Sequence, residues 1–92
     1  MSTLLPCYVL LDLETTGATP TQDRITEIGL IRYKNGIEVG RWSTLLNPEV
    51  SISPFIQRLT GITQHMLVNA PTFSEVCDTL LVWLDDAVLC AH

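Results

Sequence analysis

Asn35-Gly36 sits between two apolar runs, residues 24–33 and 37–46, and this dipeptide leaves the chain little conformational choice. Asn-Gly accepts the positive φ of a tight turn, and the twist of such a turn matches two paired strands. The flanking runs are rich in Ile, Leu, Tyr, Val and Trp, so they read as an antiparallel hairpin. A third run precedes them. Residues 7–13, CYVLLDL, are apolar on both faces, as in a strand from the middle of a sheet. Residues 17–23 are polar, contain Pro20 and read as a loop. Three strands joined this closely form an antiparallel meander.

Beyond residue 46 the signals become helical. Ser53 and Pro54 suit an N-cap and a first helical position. FIQRL, at residues 55–59, then makes a short helix that stops near Gly61. Residues 63–71 read as an irregular connection. Thr72-Phe-Ser-Glu75 is a capping box, in which a Thr hydroxyl and a Glu side chain satisfy the first free N–H groups. Phe73, Val76, Leu80, Leu81 and Leu84 follow on one helical face. Asp85-Asp86 ends that helix and AVLCA, residues 87–91, starts a fourth strand. The expected fold is therefore α/β: three strands, helices, then a strand in a mixed sheet.

Bulk properties narrow the class. At 92 residues the chain is one small domain with a thin stability margin. Apolar residues make up 47% and charged ones 16%, which argues for a packed body and against a disordered tail. The net charge is −5 and the five basic residues are scattered, so charge alone nominates no nucleic-acid partner. Cys7, Cys77 and Cys90 lack metal-finger spacing and read as reduced thiols in small core positions of a cytoplasmic protein. The N-terminal apolar run has no basic flank, is interrupted at Pro6 and ends at Asp12. It is neither a signal peptide nor a membrane span.

The chemistry-bearing feature is Asp12-Leu-Glu14, at the end of the first strand. Alternate residues of a strand share a face, and their Cα atoms are about 6.6 Å apart. Two carboxylates at that spacing repel unless a cation lies between them. Hard divalent ions such as Mg²⁺ or Mn²⁺ take oxygen ligands and remove the repulsion. An isolated D-x-E more often just ends a strand in water. Here Thr15 and Thr16 add hydroxyl and N–H groups beside it, and Gly17 lets the backbone turn close to a ligand.

DLETTG, residues 12–17, resembles the first motif of the DEDD exonucleases, a family that includes the proofreading epsilon subunit of bacterial DNA polymerase III and RNase T. The likeness continues through RITEIGLI, LNPEVSISPFIQRLTGIT, APTFSEV and VLCAH, in order, over nearly the whole chain from Cys7. It implies an RNase H-like fold and a metal-dependent 3′→5′ exonuclease that removes nucleotides from the 3′ end of DNA or RNA, in proofreading or repair. By that resemblance Asp12 and Glu14 hold two Mg²⁺ or Mn²⁺ ions. Thr15, Thr16 and Gly17 line the pocket for the 3′-terminal nucleotide, and Gly61 and Ile62 belong to a segment that approaches its base. The partner implied is a single-stranded DNA or RNA 3′ end, with a polymerase subunit as a further association. Glu27, on the adjacent strand, is either a second carboxylate behind the site or an ordinary strand-surface residue.

The family also uses two later carboxylates and a general-base His. Its second motif begins where this sequence reaches Ala91-His92, and the third lies further downstream. His92 matches a residue ahead of the second motif and not the catalytic His; His65 matches nothing catalytic. The expectation is that residues 1–92 are the N-terminal portion of one exonuclease domain, truncated after His92 and inactive by themselves. Two readings compete: a non-catalytic nucleic-acid-binding or polymerase-associated module of the same fold, and a structural fragment that pairs through an exposed sheet edge.

Overall fold

A computed structural model describes residues 7–17 and 24–91. The element order is β1 (Cys7–Thr15), β2 (Ile25–Lys34), β3 (Ile37–Leu45), α1 (Pro54–Thr60), α2 (Gln64–Leu67), α3 (Phe73–Leu84) and β4 (Ala87–Ala91). The loop expected over 17–23 lies, from residue 18, outside the described residues, as do Pro6 and His92. The four strands form one sheet in the order β3-β2-β1-β4. β1, β2 and β3 are the antiparallel meander read from the sequence, turning at Asn35 and Gly36 with φ of 55° and 79°. β4 joins the other side of β1 in parallel, which makes the sheet mixed and places β1 in its interior.

Strand alternation divides the sheet into two unlike faces. Val9 and Leu11 point to one side, together with Leu30, which pairs with Leu11, and Ile28, which pairs with Leu13, and α3 packs there. Val9, Ile28, Leu30, Leu46 and Val76 form the buried core, flanked by Trp42, Leu80, Trp83 and Leu84. The other side carries Tyr8, Leu10 and Asp12 of β1, all exposed, with Val88 beside Tyr8 on β4. The strand is central in its sheet, yet α3 covers only one of its faces.

The Ser53 hydroxyl accepts the Ile56 N–H of α1 at 3.1 Å, and Gly61 closes α1 in the left-handed region at φ 76°, its N–H donating to the Gln57 carbonyl. At α3 the Glu75 carboxylate accepts from the Thr72 amide at 2.8 Å. The face expected of α3 is partly revised: Val76, Leu80 and Leu84 pack on the sheet, but Phe73 and Leu81 are exposed, while Trp83 takes up the packing. Residues 63–71 are also more ordered than expected. They contain α2, capped by the Thr63 hydroxyl accepting from the Met66 N–H and anchored by fully buried Leu67. Position N3 there is Met66 rather than Glu or Gln, so the usual capping signature is not visible in the sequence.

Two features tie α3 to the sheet. Arg32 of β2 donates to the Trp83 carbonyl at 2.7 Å and to the Asp85 carbonyl at 3.1 Å. Gly40 of β3 lies against the Trp83 ring, where an added Cβ would come within 3.1 Å. Together they fix the end of α3 and the Asp85-Asp86 turn that launches β4. Cys7, Cys77 and Cys90 are free thiols and half-buried, short of the core positions expected for them. No described helix is long and apolar enough to cross a membrane.

Candidate active site

The site is built on the last residues of β1. Asp12 pairs with Gly29 and Glu14 with Glu27 across the β1–β2 ladder, so both carboxylates point to the face that α3 leaves open. Asp12 is exposed and Glu14 half-buried. Immediately after Glu14 the register shifts: Thr15 pairs with Ile25, leaving Thr26 as an extra residue on β2. Such a bulge ends regular alternation and re-aims the residues that follow. It separates the two carboxylates from the Thr15–Gly17 turn.

That turn is internally braced. The Thr15 hydroxyl is hydrogen-bonded to the Gly17 carbonyl, and the Gly17 N–H points back to the same hydroxyl at 3.3 Å. Thr16 is joined to Arg24 twice: its N–H donates to the Arg24 carbonyl at 2.8 Å, and its hydroxyl accepts the Arg24 N–H at 2.9 Å. These bonds clamp the two ends of the 17–24 connection.

Next to Asp12 the face is hollow. Gly29 has no side chain there, and a depression of about 550 Å³ is lined by Leu10, Asp12, Gly29, Ile31, Arg41 and Ser43. Arg41 is committed to Glu38, donating two bonds at 2.7 and 2.9 Å. That contact holds the Glu38 carboxyl below its ordinary value and raises Arg41, on a surface pair. Neither Asp12 nor Glu14 has a cationic partner among the described residues.

The row Glu14, Glu27, Leu45 runs across three strands on the same face. Leu45 packs on a second core of Ile52, Ile62 and Leu67. The α1–α2 segment is therefore seated at the carboxylate end of the open face. Gly61 is exposed there, whereas the Ile62 side chain is buried, 5% accessible, in this second core. Of the residues singled out in the sequence, Asp12, Glu14 and the Thr15–Gly17 turn come together directly; Gly61 and Ile62 are brought to the same end through Leu45. Glu27 stands directly opposite Glu14. The bulge at Thr26 had no sequence signal, because Thr26 continues the alternation of β2 without a Gly or Pro.

As ligands, Asp12 and Glu14 offer hard oxygen donors on one accessible face, which suits Mg²⁺ or Mn²⁺. They are two ligands only: among the described residues no group of three or more His, Cys, Asp or Glu side chains could hold an ion. The donor type fits a divalent cation and the donor number fits part of its coordination shell.

Comparison with known proteins decides the family. The exonuclease family model, RNase T, matches residues 9–92. The chain belongs to this exonuclease family. Over 92% of its length it is 47% identical to a protein of Mycobacterium tuberculosis described as a putative bifunctional exonuclease/endonuclease, and 42% identical to the PolC-type DNA polymerase III of Caldanaerobacter subterraneus. It spans 14% and 6% of those two proteins. The nuclease domain of 3′hExo, a DEDDh family member with bound rAMP, superposes with a TM-score of 0.77 over 99% of this chain at 20% identity, and 52% of that domain is covered. The fold is thus the RNase H-like exonuclease fold, as the sequence motifs implied, and this chain matches about half of a nuclease domain.

Proposed function

We propose that these residues form the first half of a metal-dependent 3′→5′ exonuclease site acting on the 3′ end of a single DNA or RNA strand. The observation that carries this reading is the placement of Asp12 and Glu14. They share one open face at the end of an interior strand, without a cationic partner among the described residues, in a chain of the exonuclease family. Mg²⁺ or Mn²⁺ held there would supply an activated water and stabilise the departing 3′ oxygen. The chain's own contribution is positional. Asp12 and Glu14 present ligand oxygens; the braced Thr15–Gly17 turn offers N–H groups and hydroxyls to the terminal nucleotide; exposed Gly61 lets a base approach the α1–α2 segment.

The direction of β4 supports the view that the rest of the site follows. β4 runs parallel to β1 and pairs Ala91 with Leu11, one residue before Asp12. Polypeptide continuing from β4 would arrive at the carboxylate end, where two further carboxylates and a general-base His would complete the site. The 52% coverage of a nuclease domain fits this division. Residues 1–92 by themselves would then turn over little or nothing, because members of such a unit act together. The PolC-type relative is a DNA polymerase III by name, and polymerase association is the partner this reading favours.

The test uses a 5′-labelled single-stranded oligonucleotide with Mn²⁺. The 92-residue span should be folded by circular dichroism and give no ladder of 3′-shortened products. A longer polypeptide carrying it should give the ladder, and Asp12→Ala should abolish it with folding intact. Turnover at the parent rate in Asp12→Ala would overturn the ligand assignment. A ladder from the shorter span, absent in Asp12→Ala/Glu14→Ala, would overturn the half-site reading.

A further inference from the structure

The β1–β2 ladder is interrupted directly beside Glu14. Glu14 pairs with Glu27, the register then shifts at Thr26, and pairing resumes with Thr15 and Ile25. Like charges facing each other across a ladder push the strands apart. The two strands are secured differently at this break. On the β2 side Thr26 is buried, 2% exposed, and its carbonyl accepts the N–H of fully buried Leu46 at 2.8 Å. On the other side β1 ends at Thr15, and the chain beyond it is fastened to the start of β2 by Thr16. The Thr16 N–H donates to the Arg24 carbonyl at 2.8 Å, and the Thr16 hydroxyl accepts the Arg24 N–H at 2.9 Å. Two paired residues of an antiparallel ladder ordinarily exchange two N–H···O=C bonds. Here a side-chain oxygen stands where the Thr16 carbonyl would be. The last rung is closed by a side chain, so the residue type at position 16 decides whether it forms.

We infer that Thr16 is a positioning residue for Glu14: its hydroxyl oxygen closes the ladder beyond the bulge and holds the end of β1 against the anchored start of β2. The inference rests on the exonuclease reading above, which makes Glu14 a metal ligand, and adds what keeps that ligand in place before any nucleotide arrives. Glu14 lies between the Leu13–Ile28 pair and this closure. With both sides tied, its carboxylate is presented from a fixed strand; with the outer tie gone, the strand frays at the ligand itself. Small hard divalent ions need well-placed oxygen donors, so fraying there weakens their binding. Ser carries the same oxygen as Thr, and Val has the shape of Thr without it. The role belongs to the oxygen and not to the outline of the side chain.

The experiment is amide-resolved NMR on the 92-residue chain without nucleotide. Hydrogen exchange at the Arg24 amide reads the closure. Paramagnetic broadening of the Asp12 and Glu14 amides during a Mn²⁺ titration reads the placement of the ligands. Thr16→Val should speed Arg24 exchange and weaken Mn²⁺ binding, each by about 2- to 10-fold, the range of one net hydrogen bond. Thr16→Ala, a second oxygen-free variant, should match it, and Thr16→Ser should restore both readouts. Ser53→Ala removes a hydroxyl acceptor of the same kind at the start of α1 and should leave the Mn²⁺ titration at the parent value. A hydroxyl whose task is only to touch the nucleotide would leave both nucleotide-free readouts unchanged, and that result would overturn the inference. Faster Arg24 exchange with an unchanged Mn²⁺ titration, or an equal loss of Mn²⁺ binding in Thr16→Ser or Ser53→Ala, would overturn it too while leaving the exonuclease reading in place. Absence of Mn²⁺ broadening at Asp12 and Glu14 in the parent chain would overturn the ligand assignment itself and this inference with it.

Discussion

Arg32 offers the sharpest quantitative test of how this fold is held together. Its guanidinium donates to two main-chain carbonyls, of Trp83 and Asp85, that have no further helical N–H to accept from. A hydrogen bond with a charged partner contributes about 1.5–3 kcal/mol, and a cation at a helix C-terminus adds about 0.3–1 kcal/mol. One of the two bonds is exposed, and solvent weakens it, so the low end applies. Arg32→Met keeps the alkyl stem on the α3 face and removes only the fork. We expect a loss of about 2 kcal/mol, which for a domain of this size lowers Tm by roughly 8–16 °C. Arg32→Lys should recover about half, since an ammonium can serve one carbonyl but cannot span both. Urea unfolding followed by far-UV circular dichroism gives both values. If Arg32→Met unfolds within about 0.5 kcal/mol of the parent, the guanidinium is not what secures the α3–β4 turn.

Other consequences are more local. Gly61→Ala should cost about 1–2 kcal/mol in urea unfolding, all of it backbone strain, because φ is 76° and nothing lies within 4 Å of the added Cβ. Gly40→Ala should cost about 1 kcal/mol and shift the Trp fluorescence, since its Cβ would meet the Trp83 ring at 3.1 and 3.3 Å. Glu38 should titrate below an ordinary carboxylate by NMR, and Arg41→Met should return it upward. The sign follows from the lowered folded value: the pair contributes above the unfolded carboxylate pKa, and its contribution is lost as pH falls through the folded one. Asp12→Asn should weaken Mn²⁺ binding, read by electron paramagnetic resonance, with Tm held within about 2 °C, because the side chain is exposed and supports no packing.

The parts of this architecture legible in the sequence are those fixed by local chemistry. Asn35-Gly36 set the hairpin, Ser53-Pro54 and Gly61 bounded α1, and Thr72 with Glu75 started α3. Each works through a backbone N–H, a carbonyl or a required sign of φ within a few residues, so a short stretch contains the whole cause. Asp12 and Glu14 shared a face for the same reason. What escaped depends on partners far along the chain. Leu81 has the right helical spacing to face the core, but the sheet surface α3 meets is used up by Leu80, Trp83 and Leu84. α2 exists because Leu67 is buried against Ile52 and Ile62, 15 and 5 residues away. The roles of Arg32 and Gly40 join positions 32 and 40 to 83 and 85, and nothing near them in sequence announces it.

The open face links stability to the site. Tyr8 and Leu10 are large side chains left exposed on an interior strand, on the same face as Asp12. An interior strand with one wet apolar face is costly, at about 25 cal/mol per Å² of apolar surface that could have been buried. If that face were only a defect of a short chain, its residues would carry no directional information. Instead it is graded. The α1–α2 segment closes the Leu45 end, the carboxylates stand next to that closure, and β4 points the chain toward the same end. Covering the Tyr8–Leu10 region from the direction in which β4 travels would bury the apolar part and leave Asp12 and Glu14 at the rim. Hydrophobic burial and site assembly would then be one event, so metal affinity in a longer polypeptide should rise together with cooperative unfolding. Mn²⁺ titration beside urea unfolding, on the 92-residue span and on a longer version, would show the two changing together. A longer version that unfolds more cooperatively but binds Mn²⁺ no more tightly would separate the covering of this face from completion of the site.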